Sequence, residues 1–131
     1  MRLVFISLIL LLAMTLRPAP SHAGDACAQL VMFEASYCEW CERWHEEIGG
    51  AYPNTDEGRA APLRQVDIHD DRPVDLKALK AVTFTPTFVL VQDGREVGRL
   101  PGYIGQNFFW ALLEDMFTKA GLGKSGSYCA P

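Results

Sequence analysis

The sequence predicts an α/β domain with a central mixed four-stranded sheet flanked by helices, in the order β-α-β-α-β-β-α. Three observations lead there. Leu30 to Phe33 and Thr87 to Val91 are short apolar runs of strand formers and read as buried strands. Between them, Trp40, Cys41, Trp44 and Ile48 recur at three- and four-residue spacing, the period of an amphipathic helix. After the second run, Asp93-Gly94 is a tight-turn pair that folds the chain back as a hairpin. A parallel first half joined by crossovers, then a hairpin and a covering helix, stacks into three layers.

The segment from Met1 to Ala23 is set apart from this domain. Arg2 is followed by an unbroken apolar and small run from Leu3 to Leu16, and Ser21-His22-Ala23 closes it with small residues where a signal peptidase reads. That run falls well short of the roughly 20 residues needed to span a bilayer. A cleaved secretory signal is therefore expected, with cleavage between Ala23 and Gly24, rather than a membrane anchor. Gly24 to Pro131 remain as one domain, with 121–131 as a mobile tail. Ten basic against sixteen acidic side chains give this part a net charge of −6. An acidic surface without a basic cluster argues against nucleic acid as a partner. A monomer is expected.

The elements follow in order. The first strand covers Leu30 to Phe33 and extends toward Ala35; Ser36 offers an N-cap to the helix that starts near Cys38 and ends at Gly49-Gly50. Ala51 to Pro62 carries Pro, Asn, Asp and Gly and reads as an exposed loop with room for one helical turn. Leu63 to His69 is the second strand, and Pro73 to Val82 a short helix with Val74, Leu76, Leu79 and Val82 apolar. Glu96 to Leu100 pairs back onto Thr87 to Val91. Phe108 to Phe117 closes the fold as a helix, with Phe108, Phe109, Leu112, Leu113, Met116 and Phe117 as its buried stripe.

The chemistry lies in the cysteines: Cys27, Cys38, Cys41 and Cys129. Export would place them in an oxidising compartment. Cys38-Glu39-Trp40-Cys41 sits where a strand gives way to a helix. Helix-start amides favour thiolate on the first sulfur, which makes Cys38 the expected nucleophile and Cys41 the resolving thiol. Half a zinc site looks the same, but there is no second CxxC and no nearby HxxxH, and structural zinc wants four converging ligands. No cofactor or metal is called for. Thr85-Pro86 precedes the strongest strand, and an X–Pro bond is the one peptide bond that tolerates cis at modest cost. A trans Pro opening a strand is the ordinary alternative.

The CxxC and the Thr-Pro pair, at matching points of one βαβαββα order, resemble the thioredoxin family over essentially the whole domain. The resemblance implies the thioredoxin fold, a thiol–disulfide oxidoreductase activity, and a cis-proline loop at Thr85-Pro86 that lays substrate backbone against the CxxC. Cys38 to Trp44, Gly58 to Arg64, Phe84 to Val91, Asp93 to Arg99, Gly102-Tyr103 and Phe108 to Trp110 are similar to the periplasmic thioredoxin-like proteins of bacterial sulfur oxidation. That closer resemblance implies a periplasmic reductant, recharged by a membrane thiol carrier, that frees the cysteine of a sulfur-carrier protein from unproductive disulfides.

The chain departs from ordinary thioredoxins in three places. The CxxC interior is Glu-Trp rather than Gly-Pro; Met32 stands where a buried Asp is usual; and Glu34 stands where a Trp is usual. Strand alternation puts Glu34 on the side of Met32, near the active-site helix, where it could act as acid or base for Cys41; a solvated carboxylate is the plain alternative. Glu39, Glu42, Glu46 and Glu47 surround the centre with negative charge, which opposes the thiolate and leans toward a reductant. Trp40 is a candidate contact for the partner protein, with core packing an equal alternative. No role is assigned to His45 or His69. An oxidative-folding oxidase or isomerase, and a non-catalytic thiol- or metal-binding module, are the competing readings. Cys27 and Cys129 are expected to form a structural disulfide joining the two ends of the domain. Closing so long a loop stabilises by up to about 4.7 kcal/mol in the chain-entropy model. Free thiols, or contact of Cys129 with the CxxC or another chain, are the alternatives.

Overall fold

A computed structural model describes residues 28–122. The signal segment, its cleavage site, the tail beyond Leu122, and the Cys27–Cys129 pairing lie outside the described residues. The four strands are β1 (Ala28–Glu34), β2 (Leu63–Asp67), β3 (Thr87–Gln92) and β4 (Arg95–Pro101), in sheet order β2-β1-β3-β4. β1 runs parallel to β2 and antiparallel to β3, and β3 runs antiparallel to β4, so the sheet is mixed as expected. Asp93 and Gly94 both take positive φ, 51° and 74°, the turn that matches the twist of a two-stranded hairpin. β1 begins two residues before the apolar run that signals it. Ala28 is fully buried against Gln92 of β3, and small size lets it pack there without a strong sequence signal.

Alternation along β1 and β3 splits the core in two. Leu30, Met32, Phe88 and Leu90 face α1 (Glu39–Trp44), the turn of π-helix that continues it (His45–Gly49), and α3 (Gln106–Lys119). Val31, Phe33, Val89 and Val91 face Leu76 and Leu79 on the other side. Trp44 is the centre of the first layer, with Phe88, Phe109 and Tyr52 rings at 5.2, 5.7 and 6.3 Å. Aromatic side chains at such tilted and edge-on angles add roughly 0.5–1.5 kcal/mol per pair beyond burial. The layer beneath the CxxC is therefore stiff.

Four sequence expectations are corrected. The stretch from Ala51 to Pro62 has the helical turn expected, but it is more ordered and less exposed than a loop. It holds a 3-10 turn (Tyr52–Asn54) and a short helix, α2 (Asp56–Ala60), capped by Thr55, and it buries Tyr52 completely. The Tyr52 hydroxyl donates to the Ala61 carbonyl at 2.8 Å, so an otherwise polar segment is tied down by one buried aromatic. The helix expected over Pro73 to Val82 is a single 3-10 turn, Val74–Leu76. Only Leu76 and Leu79 are buried, whereas Val74 is exposed, so the apolar stripe is too short to hold a longer helix. The carbonyls at the end of the segment are bonded by guanidinium groups: Arg72 donates to Leu79 and Lys80, and Arg99 to Lys80 and Ala81.

The cap of α1 is Cys38, not Ser36. In α3, the stripe is Phe109, Leu113, Met116 and Phe117; Phe108 and Leu112 are exposed, at 61% and 44%. Leu112 lies on the rim of a shallow cavity of about 80 Å³ with Ile104 and Pro101, and Phe108 stands four residues before it on the same helix face.

Candidate active site

Cys38 and Cys41 are joined by a disulfide with Cα atoms 5.2 Å apart. β1 delivers the chain to this point, and a short turn through Ser36 and Tyr37 swings it into α1. Tyr37 takes φ +64° and is fully exposed, a left-handed conformation uncommon for a bulky residue and a feature that clusters at functional sites. Cys38 has extended backbone angles and caps the helix: its carbonyl accepts from the N–H groups of Cys41 and Glu42, both at 3.0 Å. The Cys41 N–H also lies 3.2 Å from Cys38 Sγ. An N-cap side chain in this place faces the unpaired amides of the first turn, which favour negative charge on its sulfur. Cys38 is partly exposed, whereas Cys41 is buried at 3% and packs in the core layer with Met32 and Trp44.

The Thr85–Pro86 bond is cis, as the sequence allows. The pairing of Phe33 with Thr87 places Pro86 beside the end of β1, at the sheet edge from which the CxxC turn springs. Thr87, buried at 2%, donates from Oγ1 to the Phe84 carbonyl at 2.7 Å, and Gly102 donates its N–H to the Pro86 carbonyl at 2.7 Å. Three loops, 35–38, 84–86 and 102–105, thus meet at one edge. Their large exposed side chains are apolar: Tyr37, Phe84 at 70% and Ile104 at 68%, joined by Trp40 at 47%. Trp40 is therefore on the surface rather than in the helix stripe, with the Arg43 guanidinium 5.5 Å above its ring. Tyr37 and Phe84 escape sequence reasoning because neither belongs to a periodic pattern; their positions next to Cys38 and Pro86 were the available signal.

The acidic residues divide into two groups. Glu39, Glu42 and Glu46 are exposed. Glu47 is committed: its carboxylate accepts from the Tyr103 hydroxyl at 2.5 Å and from Arg43 at 3.1 Å. The Tyr103 hydrogen bond, with Arg43 assisting, holds its carboxyl below the usual range. Burial, and then the Glu47 charge, raises the Tyr103 phenol in turn. This contact ties the helical segment that follows the CxxC to loop 102–105, whose Gly102 bonds the Pro86 carbonyl.

Glu34 is not simply solvated. Its Oε2 lies 2.6 Å from Nε2 of His45, and the Gln65 amide nitrogen lies 3.3 Å from the same ring atom. His45, to which the sequence alone assigns no role, is a further residue that sequence reasoning missed. The signal was its spacing, four residues after Cys41 on one helix. Among the described residues, no cluster of three or more His, Cys, Asp and Glu side chains is placed to hold a metal ion. Nor, among them, is any helix long and apolar enough to cross a membrane.

Comparison with known proteins agrees with this geometry. The family of thioredoxin-like domains matches residues 22–117. The periplasmic thioredoxin SoxS from Paracoccus pantotrophus, solved in its reduced form, is 47% identical with a TM-score of 0.68, over 71% of this chain and 98% of that one. A thioredoxin from Thermus thermophilus is 22% identical with a TM-score of 0.56, over 72% and 77%. Thioredoxin-2 of the malaria parasite protein secretion machinery is 20% identical with a TM-score of 0.52, over 69% and 84%, and with the Thermus protein shows the fold alone. No curated protein sequence matches. With a disulfide-forming CxxC at the start of its first helix, the chain belongs to the thioredoxin-like family and is a thiol–disulfide oxidoreductase.

Proposed function

We propose that the protein is a periplasmic reductant that restores the free thiol of a sulfur-carrier protein. Reduced Cys38 attacks the substrate disulfide, a mixed disulfide forms, and Cys41 displaces the substrate by closing the Cys38–Cys41 bond. The observation that carries the reading is the asymmetry of the pair. Cys38 is partly exposed and backed by a first-turn amide, while Cys41 is buried one turn below. A nucleophile must be reachable and anionic, and a resolving thiol must be shielded until the first has reacted.

Direction and partner rest on further observations. The exposed carboxylates of Glu39, Glu42 and Glu46 weaken the thiolate preference that the helix start provides, and this lowers the oxidising strength of the couple. Identity of 47% to a protein described as a periplasmic thioredoxin supports the compartment, together with the signal-like segment from Met1 to Ala23. The cis-Pro loop at Thr85-Pro86 lies at the disulfide edge, and Trp40, Tyr37 and Phe84 offer apolar area around it, so this edge is where the partner's cysteine segment would lie. Trapping tests the proposal. Cys41→Ser should stall the reaction at the mixed disulfide and leave Cys38 joined to a sulfur-carrier subunit in periplasmic extract. A broad set of secreted proteins in the trap would instead identify an oxidative-folding enzyme.

A further inference from the structure

Cys41 must lose a proton before it can attack, because the thiolate and not the thiol is the nucleophile. Among the described residues, its core layer of Met32, Trp44 and Phe88 holds no group that takes a proton at neutral pH. A titratable side chain, His45, lies one helical turn away. His45 donates its backbone N–H to the Cys41 carbonyl, so the two side chains occupy the same face of the helix. Residues so related have Cβ atoms about 5–6 Å apart. Glu34, from the end of β1, holds the imidazole at 2.6 Å, with 24% of the Glu34 side chain and 35% of the His45 side chain exposed.

We infer that the Glu34–His45 pair is the proton acceptor of the resolving step, with His45 serving Cys41 and Glu34 acting as the positioning residue that orients and supports the ring. The inference rests on the reading of Cys41 as the resolving thiol. A carboxylate fixing an imidazole beside a nucleophile is a general arrangement for activating it. The local sequence makes room for the ring. A Cβ at Gly49, one turn further on, would lie 3.3 Å from His45 Nδ1, so glycine there leaves the imidazole its place.

The other charged and titratable groups around the pair have partners of their own or face solvent. From β2, neutral Gln65 touches the ring, and Asp67, the register partner of Glu34, accepts from the His69 N–H. Arg64 is taken by Asp75. On the helix itself, Glu42 and Glu46 are exposed and Glu47 is taken by Tyr103 and Arg43.

In the mixed disulfide, the Cys41 thiol passes its proton to the pair, and its sulfur forms a bond to Cys38 Sγ. The bond between Cys38 Sγ and the substrate sulfur breaks, the electron pair leaves on the substrate, and the substrate thiolate takes up a proton. The dithiol is oxidised and the substrate disulfide reduced.

The test uses the reduced full-length protein and an aromatic disulfide that releases a coloured thiolate. The first release reports attack by Cys38, and the second reports resolution by Cys41. His45→Gln should slow the second release by about 10²-fold at neutral pH, the lower end of general-base effects, and leave the first within about twofold. The variant's second phase should then climb with pH until it approaches wild type, and added imidazole should restore part of the rate. Glu34→Gln should slow the second phase less and leave that imidazole rescue small. An unchanged second phase in His45→Gln overturns the inference. So does a loss of both phases, equal at every pH, that follows a fall in Tm, since that is the mark of a structural contact. If wild type gives no second release, or Cys41→Ser still gives one, the underlying reading of Cys41 fails instead.

Discussion

Gly58→Ala should be among the most damaging single-methyl changes in this domain, although Gly58 is remote in sequence from every cysteine. Gly58 lies in α2, with its N–H bonded to Thr55 Oγ1 at 2.9 Å. A Cβ there would fall 1.8 Å from the Tyr52 carbonyl oxygen and 2.7 Å from its carbon. Both are backbone atoms, so no rotamer change relieves the overlap. Either α2 or the Tyr52–Asn54 turn must move. Overpacking of a fitted site costs about 1–3 kcal/mol. Movement also stretches the bonds that the Tyr52 carbonyl accepts from Thr55 N–H and Oγ1, at 3.1 and 2.8 Å, each worth about 1 kcal/mol. A loss of about 3 kcal/mol is expected, which for a domain of this size lowers Tm by roughly 12–24 °C.

The control is Gly50→Ala. Gly50 has helical backbone angles, and nothing lies within 4 Å of where its Cβ would stand. That change should stabilise slightly, by about 0.4–1 kcal/mol. Urea unfolding of the oxidised proteins, with both variants compared at constant m-value, provides the assay. If Gly58→Ala cost no more than a substitution at an unconstrained surface position, about 0.5 kcal/mol, the α2 seat would be slack and the argument from backbone overlap wrong. Tyr52 packs on Trp44, beneath the CxxC, so Gly58→Ala should also slow disulfide exchange.

Three further outcomes are expected. Gentle alkylation of the reduced protein should modify Cys38 well before Cys41, because only Cys38 reaches the surface; mass mapping that finds Cys41 labelled first would reverse their roles. Thr55→Ala removes the oxygen that caps α2 and should cost about 1 kcal/mol in the same unfolding assay. Acid should destabilise the fold in a defined window: Arg99 holds the Glu96 carboxyl below its ordinary 4.5, and Tyr103 does the same for Glu47. A carboxyl depressed in the folded state contributes stability that is complete above its unfolded value and is lost as pH falls through the folded one. Stability should therefore decline below about pH 4.5, and Glu96→Gln should flatten part of that decline in pH-dependent melting.

What the sequence made legible was whatever repeats with a period or carries a distinctive residue pair. β1, β3, the Asp93-Gly94 hairpin, the CxxC and the Thr85-Pro86 peptide all fall in that group. The segment from Val74 to Val82 misled because its apolar spacing is helical. Only Leu76 and Leu79 of that spacing are buried, and Arg72 and Arg99 bond the carbonyls of Leu79, Lys80 and Ala81 from outside the segment. Tyr52 was hidden because a single buried aromatic in a polar stretch has no pattern to reveal it. The Glu34–His45 contact joins a strand end to a helix, and no local rule pairs residues across that gap.

The two flanks of the disulfide edge differ in how they are held, and this difference governs how the edge yields. On one side stand α1 and the aromatic layer around Trp44. On the other, the chain that leads to Phe84 and Pro86 is pinned by guanidinium side chains. Local opening follows the number of buried apolar contacts and backbone ladders that must break. Amides of β1 and β3 should therefore exchange with solvent only when the whole domain unfolds, whereas those from Lys77 to Phe84 exchange through small, frequent excursions. The expected disulfide edge thus has one fixed jaw that bears the sulfur chemistry and one compliant jaw beside it. Lysine in place of Arg99 would keep the charge but lose the planar fork that spans two carbonyls, so the compliant jaw would slacken with no change at the cysteines.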